Sequence, residues 1–344
     1  MRPACLPAFA ILEAIDEKQI DWLMGPAKKY EESVAGASFC PSMTVIVCTR
    51  NRPELLAPCL ASLRELDYGN FDIVVVDNSP ADRRSEEVAR RYNAKYIVEP
   101  RLGLSRARNA GAHFSQAEIV VYIDDDAVAD AHWLSGLAPH FNDESVGIVT
   151  GAILPMTTDS DASALAGGIM AASSSRMIKT VERGAAGWFS AAAMGGFGDG
   201  GNMAFRRTCF ERWNGFDERL GRGRVIDALE EHLAFVELVS MGFKMVFTPD
   251  AVVLHPCKPS IAELRERTLK DAAAAGAFMT LLLVEHPQFR IELLRFMMSK
   301  IKARLSGAAH QEAVLAQAGV VSKAELLRAW LSGLPLYWKG RKRS

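Results

Sequence analysis

The sequence predicts an α/β protein built on a mostly parallel central sheet with helices on both faces. Short β-branched runs alternate with helix-periodic stretches from residue 43 to residue 126, the pattern of parallel strands joined by crossover helices. Hydrophobic residues make up 49% of the chain and charged residues 24%, enough for an ordinary globular core. At 344 residues the chain is long for one compact domain, so helical additions or a second domain are expected.

In chain order, residues 1–40 read as a helical extension ending in the small-residue stretch "SVAGASFCPS". "MTVIVC" is the first strand, and "TRNRPELLAPCLASL" has helix periodicity with a proline near its start. "FDIVVVDN" and "RSEEVARRYN" make a second strand–helix pair, and "AKYIVEP" and "GLSRARNAGAHF" a third. "EIVVYIDDD" is the fourth strand. The stretch that follows is less regular, with "VGIVTGAIL" as a strand, the Gly-rich "GGFGDGGNMAFRR", the helix "EEHLAFVELVSMG" and the strand "KMVFTP". Beyond Lys258 the pattern is helical, through "IAELRERTLKDAAAAGAFMTLLLVEH", "FRIELLRFMMSKIKARL" and "KAELLRAWL".

Several classes are excluded early. A net charge of −1 argues against nucleic acid as a partner. The six cysteines are scattered without C-x-x-C or zinc-like spacing, which predicts a reduced, cytoplasmic protein. The N-terminus meets acidic residues too soon for a signal peptide, and "AAAAGAFMTLLLV" is too short to span a bilayer. Gly196, Gly198 and Gly201 satisfy G-x-G-x-x-G, but no first strand of a βαβ unit precedes them, so a dinucleotide site is not expected. No P-loop motif is present.

In open α/β sheets ligands bind beyond the carboxyl ends of the strands. Three polar clusters fall there: Thr49, Arg50 and Asn51 after the first strand, Asp77 and Asn78 after the second, and Asp124 to Asp126 after the fourth. Three adjacent carboxylates repel one another and resist burial. By themselves they are either a solvated turn or a site whose occupant is Mg²⁺ or Mn²⁺.

"VIVCTRNRPELL", "IVVVDNS", "GLSRARNAG", "YIDDDAVADAHWL", "GGNMAFRR", "GFDERLG" and "VVLH" occur in this order between residues 43 and 257. Together they resemble a family 2 glycosyltransferase with the GT-A fold, and the ordered set is far more specific than any one member. The resemblance implies a GT-A domain over residues 41–258, split into a nucleotide-binding half (41–130) and an acceptor half (131–258). Helical regions at 1–40 and 259–344 flank it and match no named pattern.

The resemblance also implies roles. Thr49, Arg50 and Asn51 would hold the base and ribose, and Asp77 the uracil edge. Arg106 would close on base or phosphate, while Arg108 is expected on the helix surface. Asp124 would face the donor, with Asp126 and His255 on Mn²⁺ or Mg²⁺, while Asp125 would join the donor or the metal or only face water. Glu230 and Glu231 replace the usual Glu-Asp pair, with Glu231 as the base that deprotonates the acceptor. His232 is expected on the helix surface. Gly200, Gly201 and Asn202 would approach the sugar, and Asp199 stands where a small neutral residue is usual.

The implied activity is metal-dependent, inverting transfer of a sugar from a nucleotide-diphospho-sugar, expected to be UDP-linked, to a glycan, a lipid-linked or another hydroxyl acceptor. Two rivals are a catalytically inactive binding protein of the same fold, suggested by Glu-Glu and Asp199, and a nucleotidyltransferase. The latter would need a basic Gly-rich loop after the first strand, which "CTRNRPELL" does not supply. Lys339, Arg341, Lys342 and Arg343 form a basic end, read either as a peripheral contact with the inner face of the membrane or as a frayed terminus.

Overall fold

The computed structural model describes residues 40–156, 177–194, 197–257, 260–305 and 320–342. The expected N-terminal helical extension therefore lies outside the described residues, as do Gly196 and Arg343. The first half of the domain follows the predicted alternation: β1 (Met43–Thr49), α1 (Pro53–Leu63), β2 (Phe71–Asn78), α2 (Arg84–Arg91), β3 (Lys95–Glu99), α3 (Leu104–Phe114) and β4 (Ile119–Asp124). Next come β5 (Val128–Ala129), α4 (Trp133–Leu137), β6 (Val146–Met156), β7 (Lys179–Val181) and α5 (Trp188–Met194). They are followed by β8 (Asn202–Arg206), α6 (Thr208–Arg212), α7 (Glu230–Ser240) and β9 (Lys244–Pro256). The helices α8 (Ile261–Glu285), α9 (Arg290–Leu305), α10 (Lys323–Leu331) and α11 (Gly333–Arg341) complete the described chain.

All nine strands join one sheet in the order β3-β2-β1-β4-β8-β6-β9-β5, with β7 also paired to β9. Strands β3, β2, β1 and β4 are parallel, with Val45 of β1 opposite both Ile73 and Val121. β8 runs antiparallel between β4 and β6, while β9 is parallel to β6. The sheet is thus mixed, and its two expected halves share one continuous hydrogen-bonded layer.

Successive strand residues point to opposite faces, so the β-branched runs feed two cores. Val45, Val47, Val75 and Val121 pack on one side with Leu56 and Trp133. Ile46, Val74, Val76 and Tyr122 pack on the other with Phe205 and Phe235. Burial on both faces explains why these strands are apolar throughout rather than alternating.

The C-terminal helices are tied to this body. Arg219 pairs with Asp217 and with Glu285 at the end of α8, and the Tyr337 hydroxyl donates to the same Glu285 carboxylate at 2.7 Å. α8 meets α10 and α11 backbone to backbone: a Cβ at Gly276 would sit 1.9 Å from the Trp330 carbonyl oxygen. Only glycine permits that approach. Of the basic end, Lys339 and Arg341 lie in helix α11, whose Tyr337 is fully buried, so they are not frayed, while Arg343 lies outside the described residues. Among the described residues, no helix is long and apolar enough to cross a membrane.

Candidate active site

Because β8 is antiparallel to both β4 and β6, strands β1, β4, β6 and β9 all point the same way. Their carboxyl ends, the start of β8 and the N-terminus of α7 therefore gather at one edge of the sheet, where such folds bind ligands. A cavity of about 660 Å³ opens there. Thr49, the Asp124–Asp126 triplet, Gly200, Gly201, Glu230, Glu231 and His255 all line it, and α8 closes one side with Arg267 and Asp271.

The turn that follows β4 at Asp124 separates the three adjacent carboxylates. Asp125 turns inward and is completely buried, accepting from the Thr49 hydroxyl at 2.7 Å and from Arg52 at 2.5 Å. Burial, working against Arg52 and Thr49, pushes its pKa up to about 6. Asp124 and Asp126 face the cavity beside His255, whose Nε2 lies 3.8 Å from Asp124 and 3.3 Å from Asp126. The His255 Nδ1 sits 2.9 Å from the Pro256 carbonyl oxygen. That oxygen can only accept, so Nδ1 carries a proton. Burial lowers the imidazole pKa, but the Asp126 and Asp124 carboxylates outweigh it, and Nε2 would give its lone pair to a bound cation in place of its proton.

Asp124, Asp126 and His255 each present one ligand atom within 4.8 Å of the others. Two carboxylates and an oriented imidazole form an oxygen–nitrogen set that suits Mn²⁺ and accommodates Mg²⁺, with positions left for water or diphosphate oxygens. The donor set therefore fits a divalent cation. Arg52 stands 3.4 Å from Asp126 and supplies part of the positive charge that the triplet requires. Gly201 matters sterically here, since a Cβ at this position would lie 2.9 Å from Asp124 Oδ2.

A second charged group stands on α7. Leu229, just before the helix, adopts a left-handed φ of +72°, an uncommon conformation for a branched residue. Glu230 and Glu231 then begin the helix, both buried against the cavity, where the helix dipole favours negative charge. Glu230 pairs with the buried Arg108 at 2.6 Å, and Arg108 also donates to the Gly200 carbonyl at 3.2 Å. Glu231 has His232 Nδ1 at 3.5 Å, and its charge acts on the neighbouring buried Asp199. Glu231 Oε2 is buried at the cavity without a hydrogen-bond partner.

Proton sharing organises this cluster. Burial, then the charge on Glu231, pushes Asp199 up to about 6. The same two causes, opposed by Arg108, push Glu230 up to about 7. Burial alone would raise Glu231, but His232 and Arg108 outweigh it and hold this carboxyl well below the usual range. Asp199 and Glu230 thus bind protons more tightly in the native state than when unfolded. Their stabilising protonation is lost as pH rises through about 4 to 7. His232, raised because Glu231 outweighs its burial, acts in the same direction above pH 6. Glu231 acts only as pH falls below its ordinary 4.5. The urea midpoint should therefore be lower at pH 8 than at pH 5.5, and Asp199→Asn should shrink that difference.

Breaking the buried ion pair has its own signature. Arg108→Met removes the charge that opposes protonation of Glu230, so this buried carboxyl either takes up a proton or stays uncompensated, and the variant should lose up to about 3–5 kcal/mol of unfolding free energy. The double variant Arg108→Met/Glu230→Leu should recover much of it. A single-variant loss that the double variant does not reduce would show that the pair is not the cause.

Some expected residues stand elsewhere. Arg106 pairs with Glu218 at 2.9 Å and lines a separate groove, while Arg108, expected on the surface, is buried at the cavity. The two are about 200° apart around α3, so only one can face inward. His232 is also corrected, since it lines the cavity rather than the helix surface. Asn202 is fully buried, accepting from Trp133 Nε1 and donating to the carbonyls of Ala152 and Ala251. All its polar atoms are occupied, so it braces β8 rather than reaching a sugar.

Arg50 lines the cavity, but Asn51 and Asp77 do not. Asn51 is exposed and accepts from the Ala81 backbone. Asp77 is buried beneath the rim, with Tyr96 donating to Oδ2 and Oδ1 unpartnered. Arg52 was not expected. Its sequence signal was a cation at the end of a strand neighbouring three aspartates.

Comparison with known proteins gives this arrangement its context. The model of the Glycosyl transferase family 2 matches residues 44–213. An N-acetylglucosaminyltransferase of Rhizobium meliloti is 26% identical over 269 residues, covering 72% of this chain and 58% of the relative. Putative glycosyltransferase EpsH of Bacillus subtilis is 31% identical over 90 residues, covering 25% of this chain and 26% of the relative. The chain thus spans under two thirds of the length of these relatives. A mannosyltransferase from Pyrobaculum calidifontis, solved with GDP-Man and Mn²⁺, superposes with a TM-score of 0.55 at 21% identity, covering 97% of this chain and 91% of that one. By family match and by fold, residues 44–213 form a family 2 glycosyltransferase domain within a GT-A fold.

Proposed function

We propose that the chain is a metal-dependent inverting glycosyltransferase that moves a sugar from a nucleotide-diphospho-sugar to a hydroxyl of a glycan or lipid-linked acceptor. One observation carries this reading. Asp124, Asp126 and His255 converge from β4 and β9 on the cavity that Glu230 and Glu231 enter from α7. A cation-binding group and a candidate base thus face one space. The nucleotide sugar and Mn²⁺ bound by the Pyrobaculum enzyme support the same donor class and metal.

Asp124, Asp126 and His255 would hold Mn²⁺ or Mg²⁺, which when bound neutralises charge on a diphosphate leaving group. Arg50 and Arg52 line the donor side, and Thr49 fixes Asp125 so that its neighbours keep their positions. Glu231, kept ionised by His232 and Arg108, accepts the proton of the acceptor hydroxyl on its unpartnered Oε2. The acceptor oxygen then bonds to the anomeric carbon from the face opposite the leaving group. The bond from that carbon to the diphosphate breaks, its electron pair stays on the nucleotide, and the configuration inverts. Arg108 neutralises Glu230, which would otherwise repel the diphosphate, and so makes the carboxylate pair tolerable at this edge.

From the family resemblance alone, the donor nucleoside is proposed to be uridine and the site of action the cytoplasmic side of the cell. Calorimetric titration of UDP, GDP and dTDP, with and without Mn²⁺, tests the reading. One diphosphate should bind at least ~10-fold more tightly with the metal. No binding, or affinity that ignores the metal, overturns it.

A further inference from the structure

Exposed apolar surface is unevenly distributed. Eleven of the sixteen exposed large apolar side chains among the described residues lie between Ile261 and Trp338. Helix α9 shows the cause. One face carries Leu293 and Phe296, both buried, and Phe289 just before the helix packs edge-on against Trp188 and tilted against Phe189. The opposite face should then be polar. Instead Ile291, Leu294 and Met298, at helical spacing i, i+3 and i+7, are 64%, 55% and 70% exposed. Leu283 and Val284 at the end of α8 add to it, where Arg290 Nε donates to the Leu283 carbonyl and joins the two helix ends.

Charge follows the same segment. Residues 286–344 hold eleven Lys/Arg against three Asp/Glu, a formal net charge of +8 in a chain whose total is −1. Within α9 itself, five basic residues accompany a single acid, Glu292, which Arg295 already pairs at 2.8 Å. An apolar stripe on a segment of strongly basic composition is what a helix that lies in a membrane interface carries. Its aliphatic face enters the acyl boundary while long basic side chains reach anionic head groups. A protein partner fits less well, because lysine is depleted at the centre of protein interfaces.

We propose that α9, with the end of α8, is a docking surface for an anionic lipid bilayer that holds the domain on the membrane without crossing it. Helix α11, anchored by the buried Tyr337, also exposes Leu334 and Trp338. The inference does not rest on the transfer reaction, and nucleotide titration can fail while it stands.

The full-length protein is sedimented with sucrose-loaded phosphatidylcholine vesicles, with and without about 30 mol% phosphatidylglycerol. Partitioning onto the anionic vesicles should exceed that onto phosphatidylcholine alone by at least ~10-fold, and should weaken several-fold between about 0.1 M and 0.5 M salt. Ile291→Gln/Leu294→Gln/Met298→Gln should lower it by about 10-fold. The triple variant should keep the wild-type circular dichroism and urea midpoint, since these side chains are exposed. Binding that ignores lipid charge, absence of binding, or undiminished binding by the triple variant overturns the proposal. A lipid-free dimer that the triple substitution splits into monomers also overturns it and assigns the stripe to a second copy of the chain.

Discussion

Glu231→Gln is expected to slow sugar transfer by about 10³-fold while leaving the affinity for the donor nucleotide within about twofold, since a positioned general base typically contributes 10²–10⁴-fold. Glutamine keeps the size of the side chain and its contacts with His232 and Asp199, but cannot accept the acceptor's proton. The geometry singles out Glu231 over its neighbour. Both carboxylates have a buried, unpartnered Oε2, but Glu230 is tied to the buried Arg108 and pushed up to about 7, whereas Glu231 is held ionised well below the usual carboxylate range. Steady-state kcat, with nucleotide affinity measured calorimetrically on the same preparation, separates the chemical role from folding damage. Unchanged turnover would remove Glu231 from the base role.

Asp126→Ala is expected to abolish the Mn²⁺-dependent part of nucleoside diphosphate affinity, a loss of about 10²-fold, and to take transfer with it. Asp126 lies between His255 at 3.3 Å and Arg52 at 3.4 Å. Its removal leaves the cation one carboxylate and an imidazole. The titration with and without Mn²⁺ reads this directly, because the variant's curve should become insensitive to the metal. A variant that still responds to Mn²⁺ like the wild type would show that the cation is held elsewhere.

Much of the first half was legible because its signals are local. The runs around Val45, Val74 and Val121 are apolar in sequence because each strand is covered on both faces. The Asp-x-Asp spacing was equally local, and a strand end places alternate residues on one side. Other features depend on contacts that sequence spacing does not encode. Asn202 read as a sugar ligand because it is polar and follows glycines. Its side chain is instead consumed by Trp133, Ala152 and Ala251, which are 50 or more residues away or on another strand. Arg106 and Arg108 are equivalent by composition. The packing of α3 against β1 and β2 decides which of them turns to the cavity.

By itself, the sequence determined the order of strands and helices, the family resemblance and the chemical types gathered at the strand ends. These follow from local hydrophobic period and from motifs a few residues long. The tertiary structure alone decided that β8 enters antiparallel, that Asp125 is an internal brace, and that Asp199, Glu231 and His232 share protons. It also decided that Arg108 rather than Arg106 neutralises the site. Each of these depends on which side chains are brought within a few ångströms across about 30 to 120 residues of chain, where burial makes a charge choose a partner.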